Sequence, residues 1–160
     1  MIREMRTSDW EAVKAIFEQS VEKGNATFWT FCPKFEDWDD SHAKVCRFVY
    51  ETDGRVVGYI VISPHSSREC YKGVAEISVY IDEKYRGRGI GTVLLTKVKE
   101  EAGKQGYWTL YSNIFSDNEA SIKLHEKCGF RVVGTRDRIA KNKLGNWQST
   151  TMMEWRNDYE

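Results

Sequence analysis

The sequence lacks the features that would place a protein in several specialised classes. No run of apolar residues approaches the ~20 that a membrane-spanning helix needs, and the N-terminus carries no apolar signal segment. Lys and Arg together number 24, as do Asp and Glu, so the formal net charge is zero. Such a balance creates no overall field that would attract nucleic acid. We therefore expect no membrane or nucleic-acid partner, and any anion site must be local.

Patterns typical of metal sites and disulfide frameworks are also missing. None of the four cysteines forms a C-x-x-C pair, and none of the three histidines stands at a metal-ligand spacing. Free thiols are the usual state in a reducing cytosol. We therefore expect a soluble, cytoplasmic protein that binds no metal and whose cysteines are reduced.

What is present is an ordinary globular composition. The chain has 160 residues, of which 41% are hydrophobic and 30% are charged. This length matches one domain and allows a core that needs no disulfide or metal. We predict a single domain over residues 1–160.

The apolar periodicity predicts alternating strands and helices. Ser8 and Glu11 fit a capping box ahead of a helix that Gly24 would end, and Asp53-Gly54 indicates a hairpin. A strand–loop–helix–strand unit over residues 74–114 implies that part of the sheet is parallel. The predicted strands are 2–5, 47–51, 56–62, 74–81, 108–114, 130–135 and 149–155, and the later helices are 35–46, 92–103 and 118–127.

A glycine-rich segment, Arg86-Gly87-Arg88-Gly89-Ile90-Gly91, lies between a predicted strand and a predicted helix. Helix N-termini offer free N–H groups to anions, and glycines let a ligand approach the backbone closely. A P-loop would continue with Lys-Ser/Thr, whereas Thr92 and Val93 follow Gly91. A dinucleotide site would need G-x-G-x-x-G. The segment predicts another kind of phosphate site, and a tight turn without a ligand is the alternative.

The spacing of Arg86, Gly89 and Gly91 resembles the CoA-binding motif of the GNAT superfamily of N-acetyltransferases. A second segment, from Asn118 through Leu124-His125, resembles the part of that family that contacts the pantetheine arm. The resemblance implies an α/β GNAT fold: a mixed, mostly antiparallel sheet with a parallel crossover pair and helices on both faces. It also implies acetyl-CoA as cosubstrate. The predicted cofactor-binding residues are Val79, Ile81, Arg86, Gly87, Arg88, Gly89, Ile90, Gly91, Thr92 and Asn118.

Two residues are candidates for the chemistry. Alternation along strand 74–81 places Glu76 on one face with Ser78 and Tyr80, where a carboxylate could accept a proton from an amine. Its alternative role is to bind the substrate ammonium or form an ion pair. His125 stands where the family often has a tyrosine, so the resemblance implies an acid for the departing thiolate; simple helix packing is the alternative. The resemblance also implies a bulge in this strand and the Val79 N–H as oxyanion donor.

Several segments narrow the resemblance to phosphinothricin N-acetyltransferases and their relatives acting on methionine sulfoximine and sulfone. They include 24–28, 76–81 and Gly145-Asn146-Trp147. This resemblance implies direct transfer to a small amino-acid-like amine, a homodimer, and acceptor contacts from Phe28, Arg68 and Tyr71. Arg68 could bind a planar anion or be an ordinary surface residue. A peptide acetyltransferase and a CoA-binding sensor without turnover stay open as alternatives.

Overall fold

The computed structural model describes residues 1–158, which form one sheet of seven strands with helices packed against it. Only β4 and β5 are parallel, and every other neighbouring pair is antiparallel. Among the helices of residues 1–158, none combines the length and the apolar character that a membrane span requires. The strands, in the spatial order β1-β2-β3-β4-β5-β7-β6, are β1 (Ile2–Glu4), β2 (Phe48–Thr52), β3 (Arg55–Pro64), β4 (Val74–Ile81), β5 (Thr109–Phe115), β6 (Arg131–Lys141) and β7 (Trp147–Arg156), and the helices are α1 (Trp10–Lys23), α2 (Phe35–Ser41), α3 (Ile90–Lys104) and α4 (Glu119–Lys127).

Helices cover both faces of the sheet, as predicted. Alternate residues of β3 enter two separate apolar clusters, because successive side chains in a strand point to opposite faces. Tyr59 and Val61 pack with α1 and α2, whereas Ile60 and Ile62 pack with Leu94 and the rest of the inner face of α3. The mixed sheet with one parallel crossover pair is likewise confirmed.

The sheet splits between β4 and β5. Their pairing runs only from Val74↔Thr109 to Glu76↔Tyr111. Beyond this point β4 follows β3 as far as Ile81, while β5 follows β7 as far as Phe115. The two strands therefore separate, and the gap between them places backbone from β4 opposite side chains from β5 and α4.

The predicted capping box at Ser8 is wrong. Helix α1 begins at Trp10, its N-cap position is Asp9, and no side-chain hydrogen bond caps it. The Asp9 carboxylate instead accepts the Arg6 N–H at 2.7 Å and two guanidinium bonds from Arg3 at 2.8 and 2.9 Å. The hydrogen bond from Arg3 holds the pKa of Asp9 below its usual value. The ion pair with β1 therefore fixes the start of the helix in place of the Ser8 cap.

The second helix is shorter than predicted, and the sixth strand is longer. Helix α2 ends at Ser41, because the Arg47 guanidinium donates to the carbonyl groups of Asp39, His42 and Ala43, which turns the chain away. Strand β6 continues past residue 135 to Lys141 through an irregular stretch.

Candidate active site

The glycine-rich segment opens onto a groove of about 720 Å³, here called the loop groove. Its walls are the end of β4, the segment 85–92 and the first turns of α4. The charged side chains that line it are three cations, Arg86, Lys123 and Lys127, and one anion, Asp117. Nine of the ten predicted cofactor-binding residues line this groove, namely Val79, Ile81, Arg86, Gly87, Gly89, Ile90, Gly91, Thr92 and Asn118. The tenth, Arg88, places its guanidinium over the Tyr85 ring at 4.8 Å and does not line the groove.

The three glycines of the loop have different physical roles. Gly87 and Gly89 have φ values of 76° and 80°, a region that only glycine adopts without cost. A Cβ on Gly89 would meet nothing within 4 Å, so this position borders open space at the N-cap of α3. A Cβ on Gly91 would instead lie 2.7 Å from Leu124 Cδ2. Gly91 therefore permits close packing of α3 on α4, and Gly89 keeps the helix N-terminus accessible.

The backbone of β4 points free polar groups into the split. The Val74 carbonyl accepts a hydrogen bond from the His65 N–H, and the Asp82 N–H donates one to the Val57 carbonyl. Both residues therefore direct these backbone groups toward β3. Pairing between them runs in one register without a shift, so the expected bulge in β4 is wrong. In an antiparallel ladder alternate residues face the partner strand. The N–H groups of Val79 and Ile81 therefore face away from β3, where no strand within residues 1–158 pairs with them.

A second cavity of about 440 Å³ lies across the split from the loop groove and is called the acceptor cavity below. The two spaces share Ala26, Val79, Tyr80, Asn118 and Ser121 as lining residues. They therefore meet beside the free edge of β4, and Val79 borders both spaces.

Glu76 lines the acceptor cavity and is held there by β5. The Asn113 amide donates a hydrogen bond to Glu76 Oε2 at 2.9 Å. The side chain is half-buried. One oxygen is fixed by Asn113, and the other is left to accept a hydrogen bond from a ligand.

His125 is buried beneath the same cavity. Its Nδ1 lies 2.7 Å from the Ser121 carbonyl, and a carbonyl can only accept, so Nδ1 carries the proton. Its Nε2 lies 2.9 Å from Ser112 Oγ and accepts the Ser112 hydroxyl proton. Burial lowers the pKa of His125, against a smaller upward effect of the bond to Ser121. The structure therefore favours a neutral imidazole that reaches the cavity through Ser112.

Comparison with known proteins agrees with this geometry. Residues 3–130 match the model of the Acetyltransferase (GNAT) family. The chain belongs to the acetyltransferase (GNAT) family. It is 31% identical over 161 residues to an L-methionine sulfoximine/L-methionine sulfone acetyltransferase of Pseudomonas paraeruginosa, an alignment that covers 96% of this chain and 92% of that protein.

Two further similarities span nearly the whole GNAT chain. A phosphinothricin N-acetyltransferase of Alcaligenes faecalis is 34% identical over 96% of this chain and 80% of its own length. The structure of YncA from Salmonella typhimurium with its cofactor acetyl-CoA superimposes with a TM-score of 0.92 at 26% identity. That superposition covers 100% of this chain and 95% of YncA. The predicted GNAT fold and the predicted enzyme class are thus confirmed.

The three predicted acceptor contacts of this GNAT protein lie in two places. Phe28 lines the acceptor cavity and packs on Phe115 at 4.7 Å between ring centroids. Arg68 and Tyr71 are exposed and do not line it. The Arg68 guanidinium lies 5.6 Å above the Tyr71 ring, and that ring contacts His65, which bonds to Tyr111 OH at 2.9 Å. These contacts connect Arg68 to Tyr111, the β5 residue that pairs with Glu76.

Sequence reasoning gave no role to several polar residues that line the acceptor cavity of the GNAT domain. Among them are Thr27, Ser112, Asn113 and Arg136. The signal available was weak: Ser112 and Asn113 are polar residues in an otherwise apolar strand, and Thr27 directly precedes Phe28. Thr27 hydrogen-bonds to Tyr80, whose pKa burial raises to about 12. Ser112 and Asn113 border the cavity because β4 and β5 separate after Glu76. No local sequence pattern indicates that separation.

The His125→Gln variant separates a structural from a catalytic role for the imidazole. The unfolded state of the wild type takes up a proton near pH 6.5 that the folded state, with its lowered pKa, resists. Stability is therefore full above about pH 6.5 and falls as pH drops below it, by at most about 1.4 kcal/mol per pH unit for each histidine. The amide of Gln can bond to both partners without titrating. We expect chemical denaturation to show a shallower acid loss in the variant, and less than about a tenfold loss of turnover, since the neutral imidazole is a minor proton source at neutral pH.

The measurement needs His42 as an internal reference. Burial lowers the pKa of His42 as well, so part of the loss just below about pH 6.5 must persist in His125→Gln and be removed only in the double variant His42→Gln/His125→Gln. Carboxylates with a lowered pKa, such as Asp9 and Asp39, cause a separate loss at lower pH in every variant. An unchanged pH dependence of unfolding in His125→Gln would contradict the buried neutral state. A loss of turnover near a thousandfold would show that His125 is the essential acid.

Proposed function

We propose that this protein transfers the acetyl group of acetyl-CoA directly to the primary amine of a small amino-acid-like acceptor, in a ternary complex. The observation that carries the proposal is the junction of the loop groove with the acceptor cavity at Val79, with Glu76 facing the cavity side. A cosubstrate on one side and an amine on the other would meet at a free backbone N–H. The two curated relatives described above are named as acetyltransferases of methionine sulfoximine, methionine sulfone and phosphinothricin, which supports an acceptor of this size.

The residues of the loop groove fit acetyl-CoA. The N–H groups of Ile90, Gly91 and Thr92 belong to the first turn of α3, where no intrahelical partner is available, so they can bind a pyrophosphate. The open space at Gly89 admits such a group, and Arg86 adds positive charge. The edge of β4 at Val79 and Ile81 can pair with the amide groups of an extended arm as another strand would. When bound, acetyl-CoA supplies an activated acetyl group as a thioester.

Glu76 is proposed to bind the acceptor amine and remove its proton. An amine with a pKa near ~10.4 is almost wholly protonated at neutral pH and has no lone pair for attack. The carboxylate can accept that proton directly or through a water molecule. Asn113 holds Oε2, so Oε1 is the atom that faces the amine. Proton removal therefore depends on a carboxylate whose orientation is set from the far side of the split.

The Val79 N–H is proposed to stabilise the negative charge that develops on the acetyl carbonyl oxygen. A donor fixed in a rigid strand needs no reorganisation during the reaction, and removing one such donor typically costs several kcal/mol. Neither cavity is lined by a cysteine within residues 1–158, and burial raises the pKa of Cys128. Both facts support direct transfer without an acyl-enzyme.

We also propose a cytoplasmic homodimer. The four cysteines are free thiols, as expected in a reducing compartment. Strand β6 is an edge strand that pairs only with β7, and it exposes three apolar side chains: Val132, Val133 and Ile139. Exposed apolar edges are usually covered by a partner. Sedimentation of the purified protein, with Val133→Lys as the disrupting variant, tests the dimer.

The proposed function is tested by measuring acetyl-CoA consumption with matched acceptors. The set is phosphinothricin, methionine sulfoximine, methionine sulfone, common amino acids, polyamines and a short peptide with a free N-terminus. We expect turnover with the first three acceptors to exceed that with the peptide by at least about tenfold. Preference for the peptide would support a peptide acetyltransferase instead, and CoA binding without any turnover would support a sensor.

A further inference from the structure

Arg136 is the one arginine among the residues that line the acceptor cavity. It lies on β6, far from the glycine-rich loop in sequence, and no motif singles it out. Its two arginine neighbours on this strand are each paired: Arg131 with Glu154 and Arg138 with Asp137. Within residues 1–158, Arg136 has no such acidic partner. Arg136 is exposed to solvent, as are Arg68 and Tyr71, but unlike them it lines the cavity, and a guanidinium there without a counter-ion is available to bind an anion.

The local backbone explains why this side chain reaches the cavity. Arg136 pairs with Thr150 and Ala140 pairs with Gln148, so three residues of β6 oppose the single residue Ser149. Arg138 occupies the left-handed region at φ 44° and donates its backbone N–H to Ser149 Oγ at 2.9 Å. Bulges of this kind redirect neighbouring side chains. Here Arg136, directly before the irregularity, and Ile139, its last residue, both line the acceptor cavity.

Arg136 and Glu76 mark opposite ends of that cavity. Across the sheet, Arg136 pairs with Thr150, and Thr150 pairs with Phe115 of β5. Glu76 pairs with Tyr111, which lies four residues before Phe115 on β5. At about 3.3 Å per residue this is a displacement of about 13 Å along the strands, and three strand spacings of about 4.8 Å each separate β4 from β6 across the sheet. The α-amine and α-carboxylate of an amino acid share one carbon atom, so a ligand whose amine meets Glu76 could not also place its α-carboxylate on Arg136.

We propose that Arg136 binds an anionic group at the end of the acceptor side chain, and so selects acceptors that carry one over neutral analogues of similar size. The inference rests on the proposed function, because it assumes that the amine lies beside Glu76. The histidines that line the same cavity add little positive charge, since burial lowers the pKa of His42 and of His125. The cavity is thus negative at one end and positive at the other, as an amino acid with a carboxylate- or phosphinate-type side chain requires.

The test compares phosphinothricin, whose side chain ends in an anion, with methionine sulfone, whose side chain is neutral. In Arg136→Gln we expect KM for phosphinothricin to rise at least about tenfold with little change in kcat, as the loss of one charged hydrogen-bond pair predicts. KM for methionine sulfone and for acetyl-CoA should change less than about threefold. Arg138→Gln, two residues away on the same strand and equally exposed, removes the same charge outside the cavity and should match the wild type.

A direct measurement of phosphinothricin binding distinguishes failure of this inference from failure of the proposed function. Calorimetric titration of phosphinothricin into wild type and Arg136→Gln measures the contact even if turnover is slow. Equal affinities, equal KM changes for both acceptors, or a large effect in Arg68→Gln with none in Arg136→Gln would overturn the inference. A wild type that acetylates methionine sulfone but neither binds nor acetylates phosphinothricin would also overturn it, while leaving the proposed function intact. A wild type that binds phosphinothricin through Arg136 but acetylates no acceptor would refute only the proposed function.

Discussion

Gly89→Val should reduce the affinity for acetyl-CoA by at least about 100-fold. Gly89 has φ 80° and borders open space at the N-terminus of α3. A valine would place two methyl groups in that space, where the pyrophosphate is proposed to approach the N–H groups of the helix. A β-branched residue at positive φ also strains the loop. Calorimetric titration with CoA measures the loss, and a normal titration would refute the assignment of the loop to the cofactor.

Gly106→Val supplies the matched control for Gly89→Val. Gly106 follows α3 with φ 91°, and a Cβ there would also meet nothing within 4 Å. The backbone strain of the two substitutions is therefore similar, but Gly106 lies outside the loop groove. Equal stability in thermal unfolding, with CoA binding lost only in Gly89→Val, would separate a blocked site from a misfolded chain.

Glu76→Gln is expected to lower kcat by about 100-fold or more, the usual contribution of a general base. The amide keeps the size of the side chain but cannot take a proton from the acceptor amine. Affinity for acetyl-CoA should change little, because Glu76 lines the acceptor cavity and not the loop groove. The loss should be greatest at low pH, where the fraction of free amine is smallest. Steady-state kinetics across pH, with CoA titration in parallel, measures both effects.

Glu126→Gln is the control for Glu76→Gln. Glu126 lies on the exposed side of α4 and lines neither cavity, so the same change of charge there should leave turnover as in the wild type. Unchanged kcat in Glu76→Gln would show that the carboxylate is not the base, and a parallel loss of CoA affinity would indicate that it supports the fold of β4.

The groove proposed to bind acetyl-CoA could be predicted from sequence because its determinants are local. Gly89 and helix α3, which contains Gly91, are contiguous, and a helix N-terminus after a glycine turn carries its own chemistry. The alternation that placed Glu76 with Ser78 likewise needs only the period of a strand. Such features are determined by a few neighbouring residues, so they can be predicted without knowledge of the rest of the fold.

The acceptor side could not be predicted in the same way, because it is assembled from distant segments. Asn113 meets Glu76 only because β4 and β5 pair for three residues and then part. Arg136 enters the cavity only because β6 is irregular opposite Ser149. The Ser8 cap failed for a related reason: the long-range partner Arg3 binds Asp9 and fixes the chain before the helix starts. Tertiary contacts overrode local propensity in each case.

The three-residue seam between β4 and β5 has a consequence for how such an enzyme can evolve. Under the proposed function it joins two halves of one sheet that serve different substrates, since β4 and α3 line the groove proposed for the donor, whereas β5, β7 and β6 line the cavity proposed for the amine. Substitutions on β6 or β7 can therefore alter the choice of amine without disturbing the surface that binds the donor. Descendants with new acceptors should differ mainly on one side of the seam, and the oldest residues should lie on the other.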